Sequence, residues 1–163
     1  MDYTVLSQQD PRWGSKYLGF SRLTIRSYGC TLTGLTMLLN RRFGLKLTPD
    51  QVNDKLKLLG NYDRYKNPRG AFLGALLVWS NVVHAFPQLK WVYRYYNYNN
   101  VKVAWYVYAR QMPVLVEVNG AKIGAPKHWV LFIGGGKMVD PWTGSVRQTS
   151  FYPLTGSAIF DRA

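Results

Sequence analysis

Cysteine is all but missing from this sequence: Cys30 is the only one in 163 residues, and histidine occurs twice, as His84 and His128. A single thiol excludes an internal disulfide framework and a cysteine-built zinc cage. Carboxylates are scarce as well, eight in all, with Glu117 the sole glutamate. So small a stock of ligands gives no basis for a metal site, and none is expected. No apolar window reaches the length needed to span a bilayer. No shift of composition marks a linker either, so residues 1–163 are expected to form one domain with a single core. The opening Met1-Asp2-Tyr3-Thr4-Val5-Leu6 has neither the basic start nor the apolar run of a signal peptide. The expectation is a chain made in the cytoplasm that stays there unless another factor carries it across.

Positive charge is what the chain has in excess. Lys and Arg number 21 against the eight acids, a net of +13 at pH 7. Such a surface favours polyanions: nucleic acid, anionic lipid headgroups or the acidic polymers of a bacterial wall. The cations are scattered, from Arg22 and Arg26 through Arg41, Arg42, Lys55, Lys57, Arg64, Lys66 and Arg69 to Lys90 and Arg94. A diffuse field of this kind selects no partner by itself.

The lone cysteine sits in Ser27-Tyr28-Gly29-Cys30-Thr31-Leu32-Thr33-Gly34-Leu35-Thr36-Met37-Leu38-Leu39. Leu32, Leu35, Leu38 and Leu39 recur at the three- and four-residue steps of one buried helical face. The spacing predicts a helix that starts at Cys30 after a turn at Gly29 and ends near Arg42. In its first turn, free N–H groups and the helix dipole favour a thiolate, the nucleophilic form of the side chain. A small buried core residue is the competing reading of Cys30.

Along the rest of the chain, Ser7 to Gly14 reads as a polar loop with two loop amides, Gln8 and Gln9. Thr48-Pro49-Asp50-Gln51 is a helix start with N-cap, first-turn proline and capping box, followed by an apolar stripe of Val52, Leu56 and Leu59. Asn61 to Gly70 is polar loop. The apolar run Ala71 to Phe86, closed by Pro87, is expected to be a third helix, with His84 structural near its end. Trp91 to Tyr96 reads as a strand, Asn97 to Asn100 as a turn, and Val101 to Arg110 suits either a strand or a short helix, the latter preferred. Lys122 to Lys127 is expected to be loop. Strands are expected at Pro113–Val118, His128–Ile133 (central in the sheet), Lys137–Val139 and Ala158–Phe160, the last closing the sheet. Tight turns fall at Gly134–Gly136 and Asp140–Gly144. Helices first and antiparallel strands after them make an α+β domain, with the cysteine helix packed on the sheet.

The hairpin bears on chemistry. His128 opens one strand, and Asp140 follows the strand that pairs back, so both come to one edge of the sheet. A carboxylate beside an imidazole fixes its tautomer and stabilises the imidazolium. With the cysteine helix across that edge, Cys30, His128 and Asp140 would be nucleophile, base and orienting group. A strand-end histidine and an Asx-turn aspartate before proline account equally well for the spacing.

Taken together, Gln8-x-Asp10-x-x-Trp13-Gly14, Tyr28-Gly29-Cys30, Pro113-Val114, His128-Trp129-Val130 and Asp140-Pro141-Trp142-x-Gly144 resemble the peptidase C39-like proteins. These are papain-like cysteine peptidases related to the bacteriocin-leader processing domains of export transporters. The resemblance runs in order over nearly the whole chain, from about residue 7. It implies a papain-like fold, Cys30 as nucleophile, His128 as base, Asp140 orienting it, and Gln8 rather than Gln9 as side-chain oxyanion donor. It implies hydrolysis of peptide bonds with no metal or organic cofactor.

The leader-processing domains are fused to membrane exporters, and this domain is expected to act without one, which argues against leader cleavage. Its basicity suits a phage or prophage lytic enzyme, an endolysin-type peptidoglycan hydrolase released to the wall by a holin and acting as a monomer. Two other functions stay open: a peptidase that processes another protein, and a catalytically silent basic module that binds cell wall or, less favoured, nucleic acid. For that last reading, Tyr93, Tyr95, Tyr96 and Tyr98 lie among Lys90, Arg94 and Lys102, where they can stack on bases or sugars or simply alternate between core and surface. Glu117 either lines the cleft or pairs with an arginine.

Overall fold

A computed structural model describes all of residues 1–163. After a polar N-terminal loop comes one short turn of helix, α1 (Ile25–Tyr28), and then α2 (Cys30–Phe43), whose bounds match the leucine spacing. Leu32, Leu35, Leu38 and Leu39 are all fully buried. α3 (Pro49–Lys57) begins as its capping residues predict: the Gln51 side chain accepts the Thr48 backbone N–H at 3.0 Å. Val52 and Leu56 of its stripe are buried, whereas Leu59 is only half-buried.

Residues 71–86 do not form the expected third helix. They make a two-residue hairpin, β1 (Phe72–Leu73) and β2 (Leu76–Leu77), then a tight turn at Trp79–Asn81 and a single helical turn, α4 (Val82–Ala85). The break lies at Gly74, whose φ of +61° is left-handed and ends any helix entering it. Apolar density without a three-to-four period is a weak helix signal, and here the turn residue prevails. His84 closes that short helical turn, exposed, with its Nδ1 3.1 Å from Arg69 Nη2.

The remaining elements are β3 (Leu89–Tyr95), α5 (Asn100–Ala104), β4 (Val114–Gly120), β5 (Ala125–Gly134), β6 (Lys137–Asp140), β7 (Ser145–Gln148) and β8 (Leu154–Arg162). The preferred short helix after Asn97 is present, and a π-helical turn over Trp105–Ala109 continues it. The stretch 122–127 is not all loop, because β5 already begins at Ala125. β7 has no counterpart in the sequence reading. The final strand is longer than expected and interior rather than closing: the six strands run β3-β8-β4-β5-β6-β7, all antiparallel. β5 is interior as its continuous apolar run predicts.

The sheet therefore separates two cores. Leu115, Leu131, Val139, Ala158 and Phe160 face α2 and α3, while Val114, Val116, Val118, Val130 and Phe132 face Val103 and Val107 of the α5 segment. This period-two alternation fixes the register, since a slip of one residue would exchange the two faces. The chain is an α+β fold with the cysteine helix packed on an antiparallel sheet. No helix is long and apolar enough to cross a membrane.

Candidate active site

Cys30 opens α2 because of what precedes it. Thr24 caps α1, and Gly29 donates its N–H to the Ile25 carbonyl at 2.8 Å before the new helix begins. A Cβ on Gly29 would lie 2.5 Å from that same carbonyl oxygen, so only glycine lets the two helical segments abut. The first intrahelical bond of α2 is Thr33 N–H to Gly29 C=O at 2.9 Å. The earlier N–H groups, including that of Cys30, belong to the helix end that lacks intrahelical partners. Cys30 itself is half-buried, unlike the leucines behind it.

His128 and Asp140 meet as the hairpin predicts. Leu131 pairs with Val139 across β5 and β6, and extending that register puts Asp140 two residues from His128 on one face. His128 Nε2 lies 2.7 Å from Asp140 Oδ1, with both side chains almost completely buried. The other imidazole nitrogen is left free of Asp140, and Cys30 is near enough to the ring to raise its proton affinity. Burial opposes a charged ring here, but the bond to Asp140 and the nearby sulfur of Cys30 outweigh it and push His128 up to about 9. Burial likewise opposes the charged Asp140, and its hydrogen bonds from His128, Tyr152 and Trp142 overcome this and hold it down at about 2.

Two residues of this cluster were not singled out from the sequence. Arg147 Nε donates to Asp140 Oδ2 at 2.8 Å, and the Tyr152 hydroxyl donates to the same oxygen at 2.6 Å. With the Trp142 N–H on Oδ1 at 3.0 Å, four donors converge on one carboxylate. Burial and the bond to Asp140 raise the Tyr152 phenol well above its ordinary range, so it remains a donor. The register Asp140↔Ser145 places Arg147 on the same face, two positions further along β7. No local pattern in Ser145-Val146-Arg147-Gln148 signals it, since Arg147 reaches Asp140 only through the pairing of β6 with β7.

No family model, curated protein or solved structure matches this chain. The site therefore rests on its own geometry.

Gln8 is brought to this cluster by the loop around it. The Gln8 N–H donates to the Pro141 carbonyl at 2.7 Å, and Ser7 Oγ reaches the Trp142 carbonyl at 3.3 Å. Trp13 is buried and returns its indole N–H to the Ser7 carbonyl at 2.8 Å, which closes the loop on itself. Gln8 is buried, and its Nε2 donates to the Arg26 carbonyl at 2.8 Å. Arg26 is four residues before Cys30, so its carbonyl is the one an unbroken helix would offer to the Cys30 N–H. The Gln8 amide thus lies at the helix break beside Cys30 with one N–H committed and one free, while its Oε1 is buried without a partner. Gln9 is not drawn into this network; its N–H takes Ser7 Oγ at 3.1 Å.

Glu117 pairs with Arg94 at 2.9 Å and accepts from Thr155 Oγ1 at 3.1 Å, so the arginine-paired alternative holds. A proton donor-acceptor flanked by a sulfur on one side and an ionised carboxylate on the other can move a proton between sulfur and substrate. Arg147 and Tyr152 hold the carboxylate in place while it does so.

Proposed function

We propose that this protein is a papain-like cysteine peptidase or amidase, a relative of the C39-like proteins, that hydrolyses peptide bonds in bacterial cell-wall peptidoglycan. The observation that carries the reading is His128 bonded to a buried, four-fold hydrogen-bonded Asp140, with Cys30 close enough to raise the proton affinity of the ring.

Cys30 sulfur attacks the carbonyl carbon of the scissile bond, and the carbonyl electrons move to oxygen. The free N–H of Gln8 Nε2 and the first N–H groups of α2 receive that oxyanion. His128, protonated at neutral pH, gives its proton to the leaving amine as the C–N bond breaks and a thioester to Cys30 forms. Water then loses a proton to His128 and attacks the thioester, releasing the acid and restoring the sulfur–imidazolium pair. Asp140 keeps Nε2 engaged throughout, so the ring presents its other nitrogen to the reaction.

The wall as substrate is supported by charge. A net of +13 without a run or tail of cations gives a long-range attraction to teichoic acids and peptidoglycan carboxylates, and so concentrates the protein at that polymer. Arrival at the wall by release through a holin fits the same reading.

The test is mass spectrometry of purified muropeptides after digestion by the wild type and by Cys30→Ala. New amine and carboxyl ends with the wild type alone support the reading and name the bond. Equal clearing of permeabilised cells by both proteins, with no new ends, would replace it with membrane disruption by a cationic surface.

A further inference from the structure

The turn between β3 and α5 carries a second feature that peptide hydrolysis does not use. Residues 93–101 line an open cleft of about 630 Å³, within the ~300–1,000 Å³ of small-ligand sites. Its lining is tyrosine and asparagine. Tyr96 is 78% exposed and Tyr93 56%, with the Tyr93 and Tyr95 rings edge to face at 4.8 Å. Asn97 and Asn100 present exposed carboxamides to it.

Its only cation, Arg94, is already engaged. Its guanidinium bonds Glu117 at 2.9 Å and the Tyr95 carbonyl, and lies against the rings of Tyr96 (4.4 Å) and Trp129 (4.7 Å). Phosphate recognition needs free cations along a backbone path, and this lining supplies none. A flat phenol ring beside carboxamides instead suits a ligand with apolar C–H faces and uncharged hydroxyl and acetamido groups, which is an N-acetylated sugar. The ring-on-guanidinium stack also gives the cleft a position. Tyr96, Arg94 and Trp129 form a continuous pile that runs from the cleft onto β5, the strand that also carries His128.

We propose that this cleft is a saccharide subsite, which seats the N-acetylated glycan of a wall strand on Tyr96 and Tyr93 while the attached peptide reaches Cys30. It deepens the peptidase reading and rests on it for the identity of the polymer. The two parts separate in experiment.

The probe is chitotetraose, the neutral N-acetylglucosamine tetramer, titrated against the full chain by NMR at low and high salt. Wild type and Cys30→Ala are expected to bind it equally and without salt dependence, because no charge pairing is involved. Tyr96→Ala is expected to weaken binding ~10-fold or more, as removal of a central aromatic anchor does, and Tyr96→Phe to stay within about 2-fold. Tyr96 is exposed, so neither change threatens the fold, and the amide spectrum verifies that. No binding by the wild type, equal binding by Tyr96→Ala, or a single-stranded oligothymidylate held at this turn in place of the sugar would overturn the proposal. Sugar binding without muropeptide cleavage would sink the peptidase and leave the subsite; cleavage without sugar binding would do the reverse.

Discussion

Replacing Asp140 by asparagine keeps the shape of the side chain and removes its charge, and the four donors around it predict a severe result. A carboxamide offers one oxygen and one NH2 where the carboxylate offers two oxygens. Turned one way, the NH2 meets the Trp142 backbone N–H, which can only donate; turned the other way, it meets Arg147 Nε–H, which can only donate. The variant thus loses at least one charge-assisted bond, worth ~1.5–3 kcal/mol, and leaves buried groups facing one another unpaired. The proton affinity of His128 measures the same coupling from the other side: a rise from 6.5 to about 9 corresponds to ~3 kcal/mol, part of it contributed by Cys30. The expected loss is ~3–5 kcal/mol, in line with breaking other buried pairs. For a chain of this size that lowers the melting temperature by ~6–20 °C.

The same variant carries a pH signature. His128 holds its proton more tightly folded than unfolded, so its stabilisation is complete below pH 6.5 and drains away as pH rises towards about 9. Asp140 binds its proton less tightly folded, so its share is complete above pH 3.8 and is lost as pH falls towards about 2. Wild-type stability should form a plateau between those limits, and Asp140→Asn should flatten both shoulders. Thermal melts across pH, with NMR titration of the His128 ring against exposed His84, measure it. A melting point within about 2 °C of wild type, together with an unmoved His128 titration, would refute the claim that this carboxylate is held as an anion by its neighbours.

Cys30→Ala should abolish cleavage while leaving a folded protein, and should lower the His128 titration by removing the sulfur's share, as read by NMR. Gln8→Ala should reduce kcat ~100-fold or more with little change in KM, the pattern for an oxyanion donor, as steady-state kinetics on a muropeptide would report. Arg147→Ala should cost ~1–3 kcal/mol by removing one charged donor from Asp140, while activity falls less than with Cys30→Ala; chemical denaturation gives the first number. Glu117→Ala should destabilise by more than an ordinary surface change, because Arg94 would be left with a half-buried, unpaired charge against Trp129.

Features set by neighbours in the chain could be read in advance. The glycine before Cys30, the Thr48–Gln51 capping box and the hairpin that returns Asp140 to His128 are local, and the folded chain keeps each of them. The failures have physical causes of two kinds. In Ala71–Phe86 apolar content outweighed the turn residue, and the left-handed Gly74 made a hairpin of what looked like a helix. Long-range placement was the other cause. Nothing local to Arg147 or Tyr152 announces that both reach Asp140, because that depends on strands pairing across intervening turns. The Gln8 amide could be nominated by motif, but its bond to the Arg26 carbonyl could not, since it exists only once the loop docks on Pro141 and Trp142.

The order of the strands has a consequence for how the protein is made. β8 lies between β3 and β4, with Phe160 across from Trp91 and Ala158 across from Leu115. A ribosome releases both flanking strands well before the segment that joins them, so for a time each presents a bare hydrogen-bonding edge with no partner. Joining them requires a closure over some sixty residues, a slow class of folding event. During synthesis this chain is therefore most exposed to self-association just before residues 154–162 emerge, and crowded expression should yield inclusion bodies that dilution relieves.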